Sequence, residues 1–291
     1  MKKLSELNLT NDFLFKEVMN DAEICKGVLE CVLGREIGRV EVLETEKSLN
    51  PIYNRRGIRL DVYAKDSNNV MYNVEMQNIN HHDIPKRMRY TQSQLDTALL
   101  EEGIANYNEL NDSIIIFICD FDPFGKGKYV YNFVNMEKDD NTLTLDDGTA
   151  KIFISTQGKN EVRKDLKDFL SYIKCSTSEE AEKSASRFIK NLNVRVTDIK
   201  TNRNAEVNYM VYEKLRFEAI AEGHSAGYEA GQNDGYAEGR TAGYEAGQND
   251  GFAEGLFTAL AVMKQYKNKE ISAETAAEML KISKEEFLKQ I

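Results

Sequence analysis

The chain has 291 residues, 41% of them hydrophobic, and carries a formal net charge of −10 at pH 7. This hydrophobic fraction is ordinary for a soluble protein and allows a sizeable core, whereas the acidic balance argues against passive binding of a polyanion. Any contact with nucleic acid must therefore use a local basic patch, or a metal ion that offsets the charge.

The cysteines and the N-terminal segment bear on the cellular compartment. No CxxC pair occurs, and no two cysteines have the spacing of a zinc-ligand pair, so we expect small buried residues in a reducing compartment. The N-terminus lacks the apolar run of a signal peptide, and the longest apolar run, at 114–119, is too short to cross a bilayer. We therefore expect a cytoplasmic protein without a membrane partner. The cysteines are Cys25, Cys31, Cys119 and Cys175.

The residues before position 120 predict two helices and four strands. Apolar residues at helical spacing, ended by a glycine, indicate the helices. Short apolar or alternating runs, bounded by turn-forming residues, indicate the strands. The predicted elements are, in chain order, a helix over 10–34, a strand over 40–49, two strands within 59–77, a helix over 84–102 and a strand over 114–119.

The remainder of the chain predicts two more strands and then helices. The strands are expected within 129–137 and 151–156, with a turn of aspartates and glycine between them. Amphipathic periodicity predicts helices over most of 160–220. Two short helices are expected at the C-terminus, the second of them begun by a capping box of Ser283 and Glu286.

A glycine falls at every fourth position from Gly223 to Gly255, within a 16-residue unit that repeats almost perfectly. This spacing is typical of a close helix–helix seam, but nine glycines weaken an isolated helix by roughly 9 kcal/mol. Three interpretations stay open: a flexible linker, a self-associating helical stalk, and a recent DNA duplication without structural meaning. The expected domains are a folded domain at 1–215, the repeat at 216–257 and a C-terminal helical unit at 258–291.

The two strands within 59–77 carry one acid each. If their turn is centred near Asn68, Asp61 lies opposite Glu75. Gln77 then shares the face of Glu75, because residues two apart in a strand point the same way. Facing carboxylates repel each other unless a cation or proton lies between them, and with water and backbone oxygens they suit Mg²⁺ or Mn²⁺. The alternative is a half-solvated sheet face with two exposed acids.

Several stretches of the chain also carry a resemblance to a known family. They are NDFLFKEVM, GIRLDVYA, YNVEMQ, SIIIFICDFDPFG and LDDGTAKIFIST. Together they resemble the PD-(D/E)XK nuclease family transposases, also called recombination-promoting nucleases, over residues 8–215. Glycine-repeat tails that end in a short helical unit are usual in that family. The resemblance implies an α/β fold with a restriction-endonuclease-like core, a mixed central sheet flanked by helices, and a glycine-repeat helical tail.

The resemblance implies roles for individual residues near the two acids. Asp61 and Glu75 would bind the metal ion, with the Met76 carbonyl as a further ligand. Gln77 stands where the wider superfamily places lysine, so the metal would have to supply the electrostatic stabilisation. Asp12 resembles an acid on the first helix of family members and would complete the metal shell. The alternative for Asp12 is an acid that the helix dipole favours at that position.

The helix that follows matches positions of the R…Y signature of the family, and an arginine there can hold a phosphate through two hydrogen bonds. The alternative is a solvated helix face. The two histidines before this helix read as loop residues. Asp120 and Asp122, at the end of the buried strand, either contribute to the site or simply terminate the strand. The expected DNA-binding residues are Arg87, Arg89, Tyr90 and Gln94.

The main hypothesis is a DNA endonuclease that depends on Mg²⁺ or Mn²⁺ and hydrolyses phosphodiester bonds through Asp61, Glu75 and Gln77. DNA is the expected partner, together with further copies of the chain bound through the C-terminal tail. A role in recombination or mobile elements follows by analogy. The alternatives are a catalytically weak or inactive nuclease-fold protein that acts as an oligomeric binding or assembly module, and an RNA-directed nuclease of the same chemistry.

Overall fold

The structure, a computed structural model, describes residues 2–49, 58–100 and 106–289. Six strands form one sheet, and helices pack on both of its faces. The strands are β1 (Val40–Leu49), β2 (Ile58–Asp66), β3 (Met71–Gln77), β4 (Ser113–Cys119), β5 (Val130–Phe133) and β6 (Thr149–Ser155). The α-helices are α1 (Asp12–Met19), α2 (Ala22–Leu33), α3 (Ile84–Leu99), α4 (Lys164–Lys174), α5 (Ser178–Glu182), α6 (Arg187–Thr201), α7 (Arg203–Lys267), α8 (Ala273–Leu280) and α9 (Lys284–Lys289).

The sheet is mixed, as predicted. The strand order is β1-β2-β3-β4-β6-β5, in which β4 runs parallel to both β3 and β6 and the other neighbours are antiparallel. The central strand β4 is buried along its whole length, because its alternate side chains enter two different cores. Helices α1, α2, α4 and α6 cover one face, and α3 covers the other.

The single helix predicted over 10–34 is wrong, because the structure has two helices there. Asn11 caps α1 by accepting a hydrogen bond from the backbone N–H of Leu14. Asp21 then caps α2 by accepting from two backbone N–H groups of its first turn. The apolar periodicity runs on through both helices because both bury their apolar sides in the same core. Periodicity alone therefore did not reveal the break.

Three other expectations need correction. The helix predicted over 84–102 ends at Leu99, followed by an extended Leu100, and its last predicted residues lie outside the described part of the chain. The strand predicted within 129–137 is limited to β5. Cys175 directly follows α4 and is exposed, whereas the other three cysteines are buried as expected.

The C-terminal part of the chain, Leu215–Ile291, forms a compact unit separate from Met1–Lys214. The repeat glycines lie within α7. Beyond the repeat, α8 and α9 pack with the end of α7 around a small core that contains Val262 and Phe287. The predicted capping box is confirmed, because the Glu286 carboxylate accepts from the Ser283 backbone N–H at 3.0 Å. None of the helices in the described residues combines the length and apolar composition needed to cross a membrane.

The register of β2 against β3 agrees with the turn position expected from the sequence. Val62 pairs with Val74, and Lys65 pairs with Met71. Continuing this register by one residue puts Asp61 opposite the next residue of β3. A slip of one residue would move every side chain of β2 to the other face, so the turn decides where the acid lies.

The turn between β2 and β3 is organised by a buried aspartate, Asp66. Its carboxylate accepts hydrogen bonds from the backbone N–H groups of Asn68 and Val70 at 2.8 and 3.0 Å. Its other oxygen accepts from the Tyr72 hydroxyl at 3.0 Å. Asn69 completes the turn with a φ of 63°, a left-handed conformation that asparagine tolerates. Asp66 therefore anchors the hairpin register.

We expect Asp66→Ala to lower the free energy of unfolding by about 3 kcal/mol, because it leaves the buried Tyr72 hydroxyl and two backbone N–H groups of the turn without their acceptor. Tyr72→Phe, which removes only one of these hydrogen bonds, should cost about 1 kcal/mol. Urea denaturation of both variants and of the wild type measures the difference. Equal midpoints for Asp66→Ala and Tyr72→Phe would contradict the anchoring role of the carboxylate.

Candidate active site

The two predicted acids lie on the neighbouring strands β2 and β3, where β2 begins its pairing with β3 and β3 approaches its end. Asp61 lies one residue before Val62, the first residue of β2 that pairs with β3. Glu75 lies two residues before Gln77, the last residue of β3. The Asp61 Oδ2 accepts a hydrogen bond from the Met76 backbone N–H at 3.2 Å. The backbone of β3 thus fixes the orientation of the acid on β2.

Glu75 is only 2% exposed, and three side chains donate to its carboxylate. Arg87 Nη2 donates at 2.7 Å, and Asn73 Nδ2 donates to the other oxygen at 3.1 Å. Gln77 Nε2 donates at 3.3 Å. The expected sharing of one face by Glu75 and Gln77 is thus present, and Asn73, two residues earlier, extends that row. The alternation of YNVEMQ could have pointed to Asn73.

Burial and, to a smaller extent, the negative charge of Asp61 raise the pKa of Glu75, which lies at about 7. Arg87 and the Asn73 amide lower the pKa, but they do not outweigh burial. At neutral pH the carboxyl is therefore close to taking up a proton. This is the behaviour expected of facing carboxylates that lack a cation between them.

Gln77 is held between an arginine and the buried acid. Its Oε1 accepts from Arg87 Nη1 at 2.7 Å, while its amide nitrogen donates to Glu75. The same guanidinium lies 5.6 Å from the centroid of the Phe117 ring, a cation–π contact. Gln77 therefore brings no charge to the site, and Arg87 brings the positive charge on the Glu75 side. The Arg87 side chain is 40% exposed and also reaches solvent.

A lysine that the sequence reasoning did not single out approaches the other acid. Lys16 Nζ lies 3.2 Å from Asp61 Oδ1, and Lys16 is only 7% exposed. A signal was available in the stretch NDFLFKEVM, in which a helix buries nearly every side chain, so that the lysine also faces inward. Asp12, one turn earlier, accepts a hydrogen bond from Asn78 Nδ2 at 3.1 Å and thereby joins α1 to the end of β3.

The donor set of the site suits a hard cation with few protein ligands. Within the described ranges, no three His, Cys, Asp or Glu side chains form a group that could hold a metal ion. Mg²⁺ commonly takes one or two protein carboxylates and keeps several waters. Two carboxylates, a backbone carbonyl at Met76 and water therefore fit Mg²⁺ or Mn²⁺. The buried Asn73 Oδ1, which has no hydrogen-bond partner, adds an acceptor beside Glu75.

The other residues expected at a DNA interface lie on α3. Arg89 is exposed, and Tyr90 and Gln94 are half-buried. His81 and His82 are exposed in the loop before the helix, in agreement with their interpretation as loop residues. Of this group, the structure brings Arg87 to the acids.

The two aspartates after β4 serve the architecture of the loops. Asp120 Oδ1 accepts from the Thr156 hydroxyl at 2.7 Å, which ties β4 to the end of β6. Asp122 accepts from the Tyr131 hydroxyl and from the Gly127 backbone N–H, both at 2.7 Å. Burial by itself would raise the pKa of Asp122, but the hydrogen bonds from Tyr131 and from the loop backbone together lower it below its usual value. The structure thus favours the strand-terminating interpretation of both residues.

A mixed six-stranded sheet flanked by helices, with an acid pair on two neighbouring strands, defines a restriction-endonuclease-like α/β protein. The family model described as PD-(D/E)XK nuclease family transposase matches residues 9–225. The chain belongs to this family, whose nuclease and transposase-like character implies action on nucleic acid. No curated protein matches the chain, and no solved structure matches it either.

We expect the metal-free protein to lose stability as the pH rises from about 4.5 to about 7. In this interval the folded chain still binds the Glu75 proton that the unfolded chain has released, so each rise in pH favours unfolding. This contribution is fully present below the unfolded pKa and is lost as the pH passes through the raised folded pKa. Urea denaturation in a chelator, for wild type and Glu75→Gln, measures it.

The Glu75→Gln variant should lack this component, so wild type loses stability relative to the variant across the interval, by a few kcal/mol. Glu23→Gln, the same change at an exposed position of α2, is the control. A stability difference between wild type and Glu75→Gln that stays constant from pH 4.5 to pH 8 would contradict the raised pKa.

Proposed function

We propose that the protein is a metal-dependent DNA endonuclease that hydrolyses phosphodiester bonds at the acid pair on the neighbouring strands β2 and β3. The observation that carries the proposal is the buried Glu75, whose pKa is raised by burial and by the neighbouring Asp61. Two neighbouring acids that are partly or fully buried cost stability and add nothing to the packing of the core. A cation site explains their presence. Family membership supports the same chemistry.

The proposed ligands of Mg²⁺ or Mn²⁺ are Asp61, Glu75 and the Met76 carbonyl, with Asp12 as a further candidate on α1. When bound, the ion supplies a more acidic water and neutralises charge on the scissile phosphate. The hydrogen bond from the Met76 N–H holds the Asp61 carboxylate in one orientation. In the reaction, a water oxygen bonds to phosphorus, the bond from phosphorus to the leaving ester oxygen breaks, and that oxygen takes up a proton.

Gln77 is proposed to act through its neighbours. Because it accepts from Arg87 and donates to Glu75, it holds the guanidinium and the carboxylate in a fixed relation. An uncharged amide can do this without raising the positive charge next to Arg87. In this proposal the glutamine is a positioning residue, and the electrostatic stabilisation comes from cations around it.

The DNA interface is proposed on α3, where Arg89 is exposed and Arg87 reaches solvent beside the acids. Arginine recognises phosphate through paired hydrogen bonds, and the net charge of −10 requires such a local contact. Tyr90 and Gln94 follow on the same helix and complete the proposed interface. A role in recombination or in mobile elements is proposed from the family description.

We expect the wild-type protein to nick supercoiled plasmid DNA with Mg²⁺, and Asp61→Ala and Glu75→Ala to lose on the order of a hundredfold or more in rate. Glu161→Ala, at an exposed acid, should cleave like the wild type. A parallel assay on single-stranded RNA separates the DNA-directed from the RNA-directed enzyme. Equal nicking by the wild type and both active-site variants would overturn the enzymatic proposal and leave the non-catalytic alternative.

The repeat segment, 216–257, is proposed to bind further copies of the chain. At each of its nine glycines, a Cβ atom would meet nothing within 4 Å, so the small-residue surface of α7 is open in the described monomer. Tyr228, Tyr236 and Tyr244, one every eight residues, are exposed on the same helix. Exposed aromatic rings next to glycines are suited to close helix–helix packing.

We expect the full chain to form oligomers, and a variant with Gly235→Leu, Gly239→Leu and Gly243→Leu to be shifted towards monomer. Leucine favours the helix and finds open space in the monomer, but it prevents the close approach of a second backbone. The same three positions changed to alanine are the control, with little loss of association. Light scattering over a range of concentrations measures the mass, and a monomeric wild type throughout would contradict self-association.

A further inference from the structure

Lys16 occupies a position where the fold gives no reason for a charge. It lies in α1 between side chains that pack into the core, among them Phe15 and Val18. A buried ammonium is costly unless an anion compensates for it, and an apolar side chain would serve the packing of this helix better. The charge is therefore explained by its partner rather than by the helix.

That partner is the acid on β2. The strand backbone engages Asp61 Oδ2 through the Met76 N–H, and the ammonium of Lys16 approaches Oδ1 at 3.2 Å. Both oxygens of the acid are thus oriented, one by the sheet and one by the helix. The lysine is placed beside the carboxylate that is proposed to hold the metal ion.

The positive charge of Lys16 matters because the side chain at the end of β3, Gln77, is an amide. Gln77 is neutral, and its oxygen and nitrogen are engaged by Arg87 and Glu75. The guanidinium compensates the acid on β3, so that positive charge on the Asp61 side has to come from elsewhere in the fold. Helix α1 provides it through Lys16.

We propose that Lys16 is the active-site lysine of this protein and supplies, from α1, the positive charge that the neutral Gln77 does not bring from β3. The proposal rests on the proposed nuclease function. Lysine is a compact point charge, which suits stabilisation of charge that develops on a phosphoryl group. Because Lys16 contacts Asp61, it stands beside the proposed metal site, where the scissile phosphate would bind.

A lysine that only compensates Asp61 in the absence of metal differs from this in one measurable property, the cleavage rate at saturating metal. Removal of a compensating lysine would leave the cleavage rate at saturating metal unchanged. Removal of an active-site cation lowers that rate. In both cases, loss of a positive charge beside the metal site relieves repulsion, so a divalent ion should bind more tightly.

The test uses the full chain with Lys16→Met, Lys16→Arg and, as a control, Lys26→Met, which removes a helical lysine paired with Glu30 on α2. At saturating Mg²⁺, plasmid cleavage by Lys16→Met should fall about a hundredfold. Lys16→Arg should retain part of the rate, because the charge is kept. Lys26→Met should cleave like the wild type.

The second readout is binding of Mn²⁺ alone, by calorimetry without DNA. Tighter Mn²⁺ binding together with slower cleavage by Lys16→Met supports the proposal. Weaker binding together with slower cleavage shows that the lysine only maintains the position of Asp61 and overturns it, as does an unchanged cleavage rate. If Lys16→Met fails to fold, as judged by circular dichroism, a rate for the folded Lys16→Arg equal to that of Asp61→Ala overturns the proposal, and a partial rate supports it.

Failure of the proposed function gives a different result. In that case wild type and Asp61→Ala cleave equally or not at all, and the proposal for Lys16 falls together with the function. When wild type cleaves and Asp61→Ala does not, the function stands and the Lys16 variants decide the proposal by themselves.

Discussion

The buried negative charge at Glu75 is the constraint on which the rest of the site depends. A carboxylate that is 2% exposed and faces a second acid would not stay ionised by itself, and burial accordingly raises its pKa to about 7. The surrounding side chains are arranged around this charge. An arginine and two amides donate to Glu75, while a lysine and a backbone N–H engage Asp61. The arrangement is costly for stability, and a site that binds cations and phosphate explains it.

The two compensating cations come from opposite sides of the sheet. Helix α1 packs in the core that covers one face and brings Lys16, whereas α3 packs on the other face and brings Arg87. The acid pair lies between them, on the neighbouring strands β2 and β3. The helix on one face thus contacts Asp61, and the helix on the other contacts Glu75. This division explains how a neutral glutamine at the end of β3 is compatible with a charged site.

The acidity of the whole chain increases the importance of the cations near the site. With a net charge of −10, general attraction to a polyanion is absent, so the proposed contact with DNA depends on the few arginines and lysines near the acids. The long helix α7 adds a surface of a different kind, with glycines and exposed tyrosines at regular spacing. Chemistry and assembly are thus proposed for separate parts of the chain.

Local sequence patterns determined the strands, the turn register, and the common face of Glu75 and Gln77, because alternation and turn chemistry depend on neighbours in the chain. The hairpin quoted as GIRLDVYA and YNVEMQ therefore predicted where the acids meet. The break at Asp21 escaped the periodicity, since two helices that bury their sides in one core give the same pattern as one helix. Tertiary structure alone decided that Lys16 approaches Asp61 and that Arg87 turns inward to Glu75. These contacts join residues of different elements, and they exist only once helices from both faces have packed on the sheet.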